Sequence, residues 1–271
     1  MKQLSYKIFV INMPKSKERW RYITSQLDKF NLSCERIDGT DISTLPESEL
    51  NKYYSYSENR KQYPKPLSKG EIGCHISHVK CWEEILKQDL DFGIVLEDDI
   101  TLDGNFPKAI EFIKKYFDKW NFIRLQVETK TRKLYDQENF EDFSIYEFIR
   151  TSGCFWGYAL NRNTAKILVE NILPFGITAD SNMHVYYKFN IDVKTLVPPT
   201  VFARANNDSD IEQSGARKRQ KNFYPFARQV FSLSAYVGRL CQLIKRDGFI
   251  KSLKKIAMAK KVIPEANIKS N

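Results

Sequence analysis

The chain predicts an α/β fold: a largely parallel central sheet flanked by helices, with a basic helical appendage at its C-terminal end. Three observations carry that expectation. Short apolar runs alternate with stretches of helical period from Tyr6 onward. Ser68-Lys69-Gly70-Glu71 has the form of a capping box ahead of a long amphipathic pattern. Charge is also divided unevenly: residues 215–271 hold 14 Lys or Arg against Asp247 and Glu265, so that of a formal net charge of +10 the first 214 residues hold about −2. The domain reading follows, with 1–214 as the body and 215–271 as a basic amphipathic tail.

The elements follow in order. Tyr6 to Ile11 reads as a buried strand, and Pro14 suits the first turn of a helix in which Trp20, Ile23, Leu27 and Phe30 recur at helical spacing. Cys34 to Asp38 predicts a second strand ended by Gly39, completing a βαβ opening. Residues 40–66 are polar and Tyr-rich and read as mostly loop. From Ser68 a helix presents Ile72, Ile76, Val79, Trp82 or Glu83, and Leu86 on its apolar face. Asp91-Phe92 leads into the strand Phe92-Gly93-Ile94-Val95-Leu96. A helix over 106–120 and a strand over 121–125 come next. Residues 128–142 read as a charged excursion, 143–149 and 153–160 as strands, and Thr164 to Asn171 as a helix.

At 271 residues with 42% hydrophobic and 28% charged content, the composition is that of a globular chain able to bury a core. No segment approaches the ~18 apolar residues of a membrane span. The N-terminal residues lack the apolar core of a signal peptide, which predicts a cytoplasmic protein. Cys34, Cys74, Cys81, Cys154 and Cys241 are odd in number and have neither zinc-site pairing nor a disulfide framework, so they read as reduced thiols.

Glu97-Asp98-Asp99 places three carboxylates where the apolar run over 92–96 meets solvent. Such oxygens, at the carboxyl end of a strand in an open α/β sheet, can hold a hard divalent cation in the crevice where these folds bind ligands. An acidic run after a strand also makes a turn or a helix start. His75 and His78 stand three apart on one helix, but no adjacent acid or third His supports zinc there. Trp156 and Tyr158 read as core residues, with stacking on a sugar ring as the other reading.

Ile11-Asn12 with Arg19, Glu35 to Gly39, Leu67 to Cys74 with Ser77-His78, and Val95 to Asp99 occur in an order that resembles glycosyltransferase family 25. That family comprises bacterial lipooligosaccharide galactosyltransferases and collagen galactosyltransferase domains, and the resemblance runs from about Tyr6 to Ser214. It implies a GT-A fold with a Rossmann-like sheet, a UDP-galactose type of donor, Mn²⁺ or Mg²⁺, and inversion at the anomeric carbon. On that resemblance Asp99 is a metal ligand, Glu97 serves the donor sugar, ribose or a metal-bound water, and Asp98 joins the donor site. Asp180 matches a later acidic position and is the candidate base. His184 could complete the metal sphere or be structural.

Asn12 would meet the nucleotide or cap the following helix, and Arg19 would reach a phosphate or stay solvated. Asp38 would bind uridine or form a turn, and Ser77 and His78 belong to the donor-site block or to helix packing. The basic tail interleaves Phe226, Val230, Leu233, Val237 and Leu240 with Lys and Arg. Such a helix can lie on an anionic membrane, here the cytoplasmic face of a bacterial inner membrane carrying a lipid-anchored oligosaccharide acceptor, or pack on the body with a solvated basic face. No recognition motif for nucleic acid accompanies the charge. Two rival classes remain: a metal-dependent phosphohydrolase using the same carboxylates, and a non-catalytic peripheral membrane protein organised by the tail.

Overall fold

The computed structural model describes residues 3–126, 131–150, 153–204 and 221–262. The expected α/β architecture is present. In chain order the elements are β1 (Tyr6–Asn12), α1 (Lys17–Lys29), β2 (Glu35–Asp38), α2 (Glu47–Tyr53), α3 (Tyr56–Gln62), α4 (Lys69–Lys87), β3 (Phe92–Glu97), β4 (Ile100–Leu102), α5 (Phe106–Lys115), β5 (Phe122–Arg124), β6 (Arg132–Asn139) and β7 (Ser144–Phe148). There follow β8 (Gly157–Asn161), α6 (Arg162–Ile172), α7 (Ala179–Asn182), a 3₁₀ helix (Met183–Phe189), β9 (Val193–Val197), β10 (Val201–Ala203), α8 (Ala227–Asp247), α9 (Phe249–Met258) and β11 (Lys261–Val262).

The central sheet runs β11-β6-β7-β9-β5-β8-β3-β1-β2. Its parallel pairing joins β2, β1 and β3 on one side and β5 with β9 further along, while β8 is inserted antiparallel between β3 and β5. Side chains alternate across the sheet, as strand geometry requires. Ile8, Val10, Ile94 and Leu96 face Ile23 of α1 and Ile110 of α5. Phe9 and Val95 face Val79, Trp82 and Ile85 of α4 and Leu168 of α6. Both faces are thus covered, which explains why β1 and β3 read as continuous apolar runs.

The structure departs from the sequence expectations at four places. Pro14 precedes the helix rather than entering it, because α1 starts after Ser16. The helix expected over 106–120 ends at Lys115 and passes into a 3₁₀ turn over Phe117–Lys119. The segment 40–66 contains α2 and α3, and α3 is anchored by the fully buried Asn59, whose amide donates to the Lys65 carbonyl at 3.1 Å and the Gly176 carbonyl at 2.8 Å. A Cβ on Gly176 would lie 2.3 Å from the Asn59 nitrogen, so this approach needs glycine. Finally, the charged stretch after 131 forms β6, paired with β7 as a hairpin.

The C-terminal helices pack on the body. Gly238 lets α8 close on Tyr187, since a Cβ there would fall 2.1 Å from that ring. Leu243 is buried with Tyr135 and Ile149. Glu147, buried on β7, accepts from Lys194 at 2.7 Å, from both guanidinium nitrogens of Arg246 at 2.8 and 3.1 Å, and from Arg239. Burial pushes Glu147 up, but these cations outweigh it and hold its pKa at about 2. The boundary expected between Ser214 and Gly215 lies outside the described residues. Among those residues no helix is long and apolar enough to cross a membrane.

Candidate functional site

The register Ile11↔Glu97 and Asn12↔Asp38 brings the carboxyl ends of β1, β2 and β3 to one edge of the sheet. The N-terminal half of α4 rises beside that edge, started by a complete capping box in which the Ser68 hydroxyl accepts from the Glu71 amide and the Glu71 carboxylate accepts from the Ser68 amide at 2.8 Å. Between them lies a cleft of about 650 Å³, lined by Arg19 and Lys15 on one side, Lys69, Cys74 and His78 on another, and Glu97, Asp98 and Asp99 at its base. A volume of that order suits a small-molecule ligand.

The third wall is the segment after β2. Gly73 permits it, because a Cβ there would lie 2.2 Å from the Thr40 carbonyl oxygen. Ser77 locks it: its hydroxyl accepts from the Thr40 amide at 2.9 Å and donates to the Gly73 carbonyl at 2.7 Å. Ser77 lines the cleft and at the same time shapes it.

The three acids are not equivalent. Asp98 is buried, accepts from the Asn12 amide at 2.6 Å and has Arg19 at 3.7 Å. The same Asn12 amide donates to the Ser16 carbonyl at 3.1 Å, so Asn12 ties the start of α1 to the triplet. Glu97 and Asp99 are partly exposed and line the cleft. Burial first, then the charges of Asp98 and Asp180, raise Glu97 to about 7, with Arg19 opposing. Glu97 and Asp99 present carboxylate oxygens at the base of the cleft, a donor set that fits a hard cation such as Mn²⁺ or Mg²⁺, and these two are the residues that would hold it.

His78 is fully buried on α4, with Nδ1 3.0 Å from the Tyr158 hydroxyl and Nε2 3.4 Å from Glu97 Oε1. Trp82 donates its indole N–H to the same hydroxyl at 2.9 Å. Burial pushes His78 down to about 3, so it is neutral at pH 7 despite the charge of Asp180. Tyr158 thus belongs to the core, as expected. His75 takes no part: its Nδ1 bonds the Ile177 carbonyl at 2.8 Å and its ring stacks on Phe175.

Asp180, on α7, comes to the same region, since its charge acts on both Glu97 and His78 and a Cβ on Gly153 would lie 3.1 Å from its Oδ2. Two predicted residues stand apart. Asp38 is largely exposed and pairs with Arg36 at 3.1 Å rather than lining the cleft. His184 faces a separate pocket with Arg150, Tyr187 and Arg239. Burial and the charges of Arg150, Arg132 and Arg124 depress its pKa to about 3. Those cations surround His184, and it lines this pocket and not the cleft that holds the triplet. Lys15, Lys69, Thr40 and Cys74 line the cleft without having been singled out from sequence. Lys69 and Cys74 lie inside the block that carried the resemblance, which was the available signal.

The pattern of Glycosyltransferase family 25 (LPS biosynthesis protein) matches residues 5–183. The chain belongs to glycosyltransferase family 25. The matched span contains every residue of the cleft described above. A "Putative glycosyltransferase" of Haemophilus influenzae is 28% identical over 176 residues, covering 64% of this chain and 61% of that one. Procollagen galactosyltransferase 2 of Mus musculus is 26% identical over 183 residues, covering 62% of this chain and 28% of its own length. The chain therefore spans under two thirds of these family 25 relatives. A "Probable inactive glycosyltransferase 25 family member 3" of Rattus norvegicus is 33% identical over 107 residues, covering 38% of this chain and 19% of that one. Among solved structures, the crystal structure of A197 from STIV has a TM-score of 0.39 at 9% identity, covering 76% of this chain and 97% of that one, a likeness too slight to carry an argument.

Proposed function

We propose that this chain is a metal-dependent inverting glycosyltransferase that moves galactose, or a similar hexose, from a UDP-sugar to a bacterial lipooligosaccharide or lipopolysaccharide acceptor. The observation that carries the reading is the cleft at the carboxyl edge of β1, β2 and β3, with carboxylates at its base and Lys15, Arg19 and Lys69 at its walls, in a family 25 chain. The galactosyl part rests on the likeness to the procollagen galactosyltransferases.

In this reading the three cations and the first amides of α4 hold the diphosphate of the donor. Asp99 and Glu97 would hold a cation, which when bound would supply Lewis-acid neutralisation of the charge that develops on departing UDP. Asn12 and Arg19 fix the Asp98 carboxylate and so the backbone from which Glu97 and Asp99 project. Asp180 takes the proton of the acceptor hydroxyl as its oxygen bonds to the anomeric carbon and the bond to the diphosphate oxygen breaks on the opposite face. The test is UDP release from a panel of UDP-sugars, with and without Mn²⁺, in the presence of purified lipooligosaccharides. Metal-dependent release from one sugar, stimulated by acceptor, is the expected result; release of inorganic phosphate, or cleavage of the donor without acceptor, assigns the site to a phosphohydrolase instead.

The same proposal places the chain on the cytoplasmic face of the inner membrane. Supporting it, Val230, Leu233 and Val237 are exposed along one stripe of α8, and Phe249, Ile250 and Leu253 are exposed on α9, among Arg228, Lys251 and Lys254. An apolar stripe flanked by cations suits an anionic bilayer surface. Flotation with phosphatidylglycerol vesicles should carry the wild type and not a Leu233→Asp/Ile250→Asp variant; equal flotation of both would remove the tail from membrane contact.

A further inference from the structure

We propose that Cys74, His78 and Glu97 form a binding site for a soft divalent cation of the zinc class, adjoining the oxygen site at Asp99 through the shared Glu97 carboxylate and opening into the same cleft. One ligand atom from each lies within 4.8 Å of the others. Cys74 and His78 are four apart on α4 and so share a face of that helix, while Glu97 approaches from the end of β3. The 3.4 Å between His78 Nε2 and Glu97 Oε1 is close to the ~3.3 Å edge of a tetrahedron whose bonds are about 2.0–2.1 Å.

A second observation points to a ligand independently of the spacing. His78 has no exposed surface, yet its Nε2 has no hydrogen-bond partner. A buried ring nitrogen left unpaired has lost its hydrogen bond to water with nothing in return, and a metal bond removes that cost. Its other nitrogen meets the Tyr158 hydroxyl, which is fixed in turn by the Trp82 indole. Ligating imidazoles are commonly oriented in this way, by a hydrogen bond on the far nitrogen.

A sulfur, an imidazole nitrogen and one carboxylate oxygen select zinc-like ions over Mg²⁺ or Mn²⁺. Three protein ligands leave a tetrahedral ion one position, and all three residues line the cleft, so that position faces the space where the donor is proposed to bind. The thiolate and Glu97 balance the charge of the ion.

The experiment is a titration of the full chain with Co²⁺, read by absorbance. The expected result is saturable binding with a thiolate-to-cobalt charge-transfer band and intense tetrahedral d–d bands, reversed by Zn²⁺. Cys74→Ser should abolish the charge-transfer band and Glu97→Gln should weaken binding at least tenfold, whereas Asp99→Ala should leave the spectrum unchanged. That last arm keeps the result separate from the transferase reading, which needs Asp99. Should the Cys74 variant fail to fold, zinc-edge X-ray absorption of the wild-type complex decides, with one sulfur at about 2.3 Å expected. Absence of the charge-transfer band in the wild type, its survival in Cys74→Ser, or a zinc shell of oxygen and nitrogen alone would overturn the proposal.

Discussion

Replacing Glu147 with Gln should cut the C-terminal helices loose from the sheet, and its cost can be worked from the geometry. Glu147 is 1% exposed and receives Lys194, Arg239 and Arg246. Its pKa falls from 4.5 to about 2, some 2.5 units, which at 1.36 kcal/mol per unit is about 3 kcal/mol of stability at neutral pH. Asp192 still pairs with both arginines in the variant, at 2.8 and 2.7 Å, which limits the damage. The expected loss at pH 7 is therefore about 2–4 kcal/mol, in the range for breaking a buried ion pair.

Urea unfolding of both proteins measures this loss. The sign also fixes a pH window. A depressed carboxylate contributes fully above its unfolded pKa and loses its contribution as pH falls from about 4.5 through about 2, so by pH 3 less than half of the gap should remain. A gap under about 0.5 kcal/mol at pH 7, or one that does not narrow in acid, would refute the reasoning.

Two further outcomes are expected. Gly73→Ala puts a methyl 2.2 Å from the Thr40 carbonyl and must displace the wall of the cleft; a loss of about 1–3 kcal/mol by thermal unfolding and weaker UDP binding by calorimetry should appear together. For Glu97 the native pKa of about 7 lies above 4.5, so the metal-free protein should be most stable below pH 4.5 with respect to this group and lose up to about 3 kcal/mol as pH rises through 7. Stability profiles of the wild type and Glu97→Gln should diverge across that window, and parallel profiles would mean that Glu97 is not strained.

The elements nearest the site were the most legible in the sequence. The runs over β1 and β3 are buried on both faces, so no polar alternation obscures them, and the capping box before α4 makes both of its bonds. The inequality within the triplet came from the family resemblance and not from the local pattern, because it rests on Asp98 being buried against Asn12 while Glu97 and Asp99 stay partly exposed. What escaped was held by distant partners. Helix α3 is short and polar and depends on Asn59 meeting Gly176, 117 positions away. Strand β6 is charged because only the two-residue β11 lies beyond it in the sheet, and Tyr135 is buried against α8 and α9. The bond from His78 to Tyr158 spans 80 positions and has no local signature. His184 shows the converse, a chemically competent ligand that the chain carries to a different pocket.

Calorimetric titration of UDP into the wild type and Asp99→Ala, each with Mn²⁺ and with EDTA, addresses the proposed activity at its root. The cleft geometry predicts that Mn²⁺ strengthens UDP binding to the wild type at least tenfold and leaves Asp99→Ala unchanged. UDP that binds both proteins equally in Mn²⁺ and EDTA, or that binds neither, would contradict it.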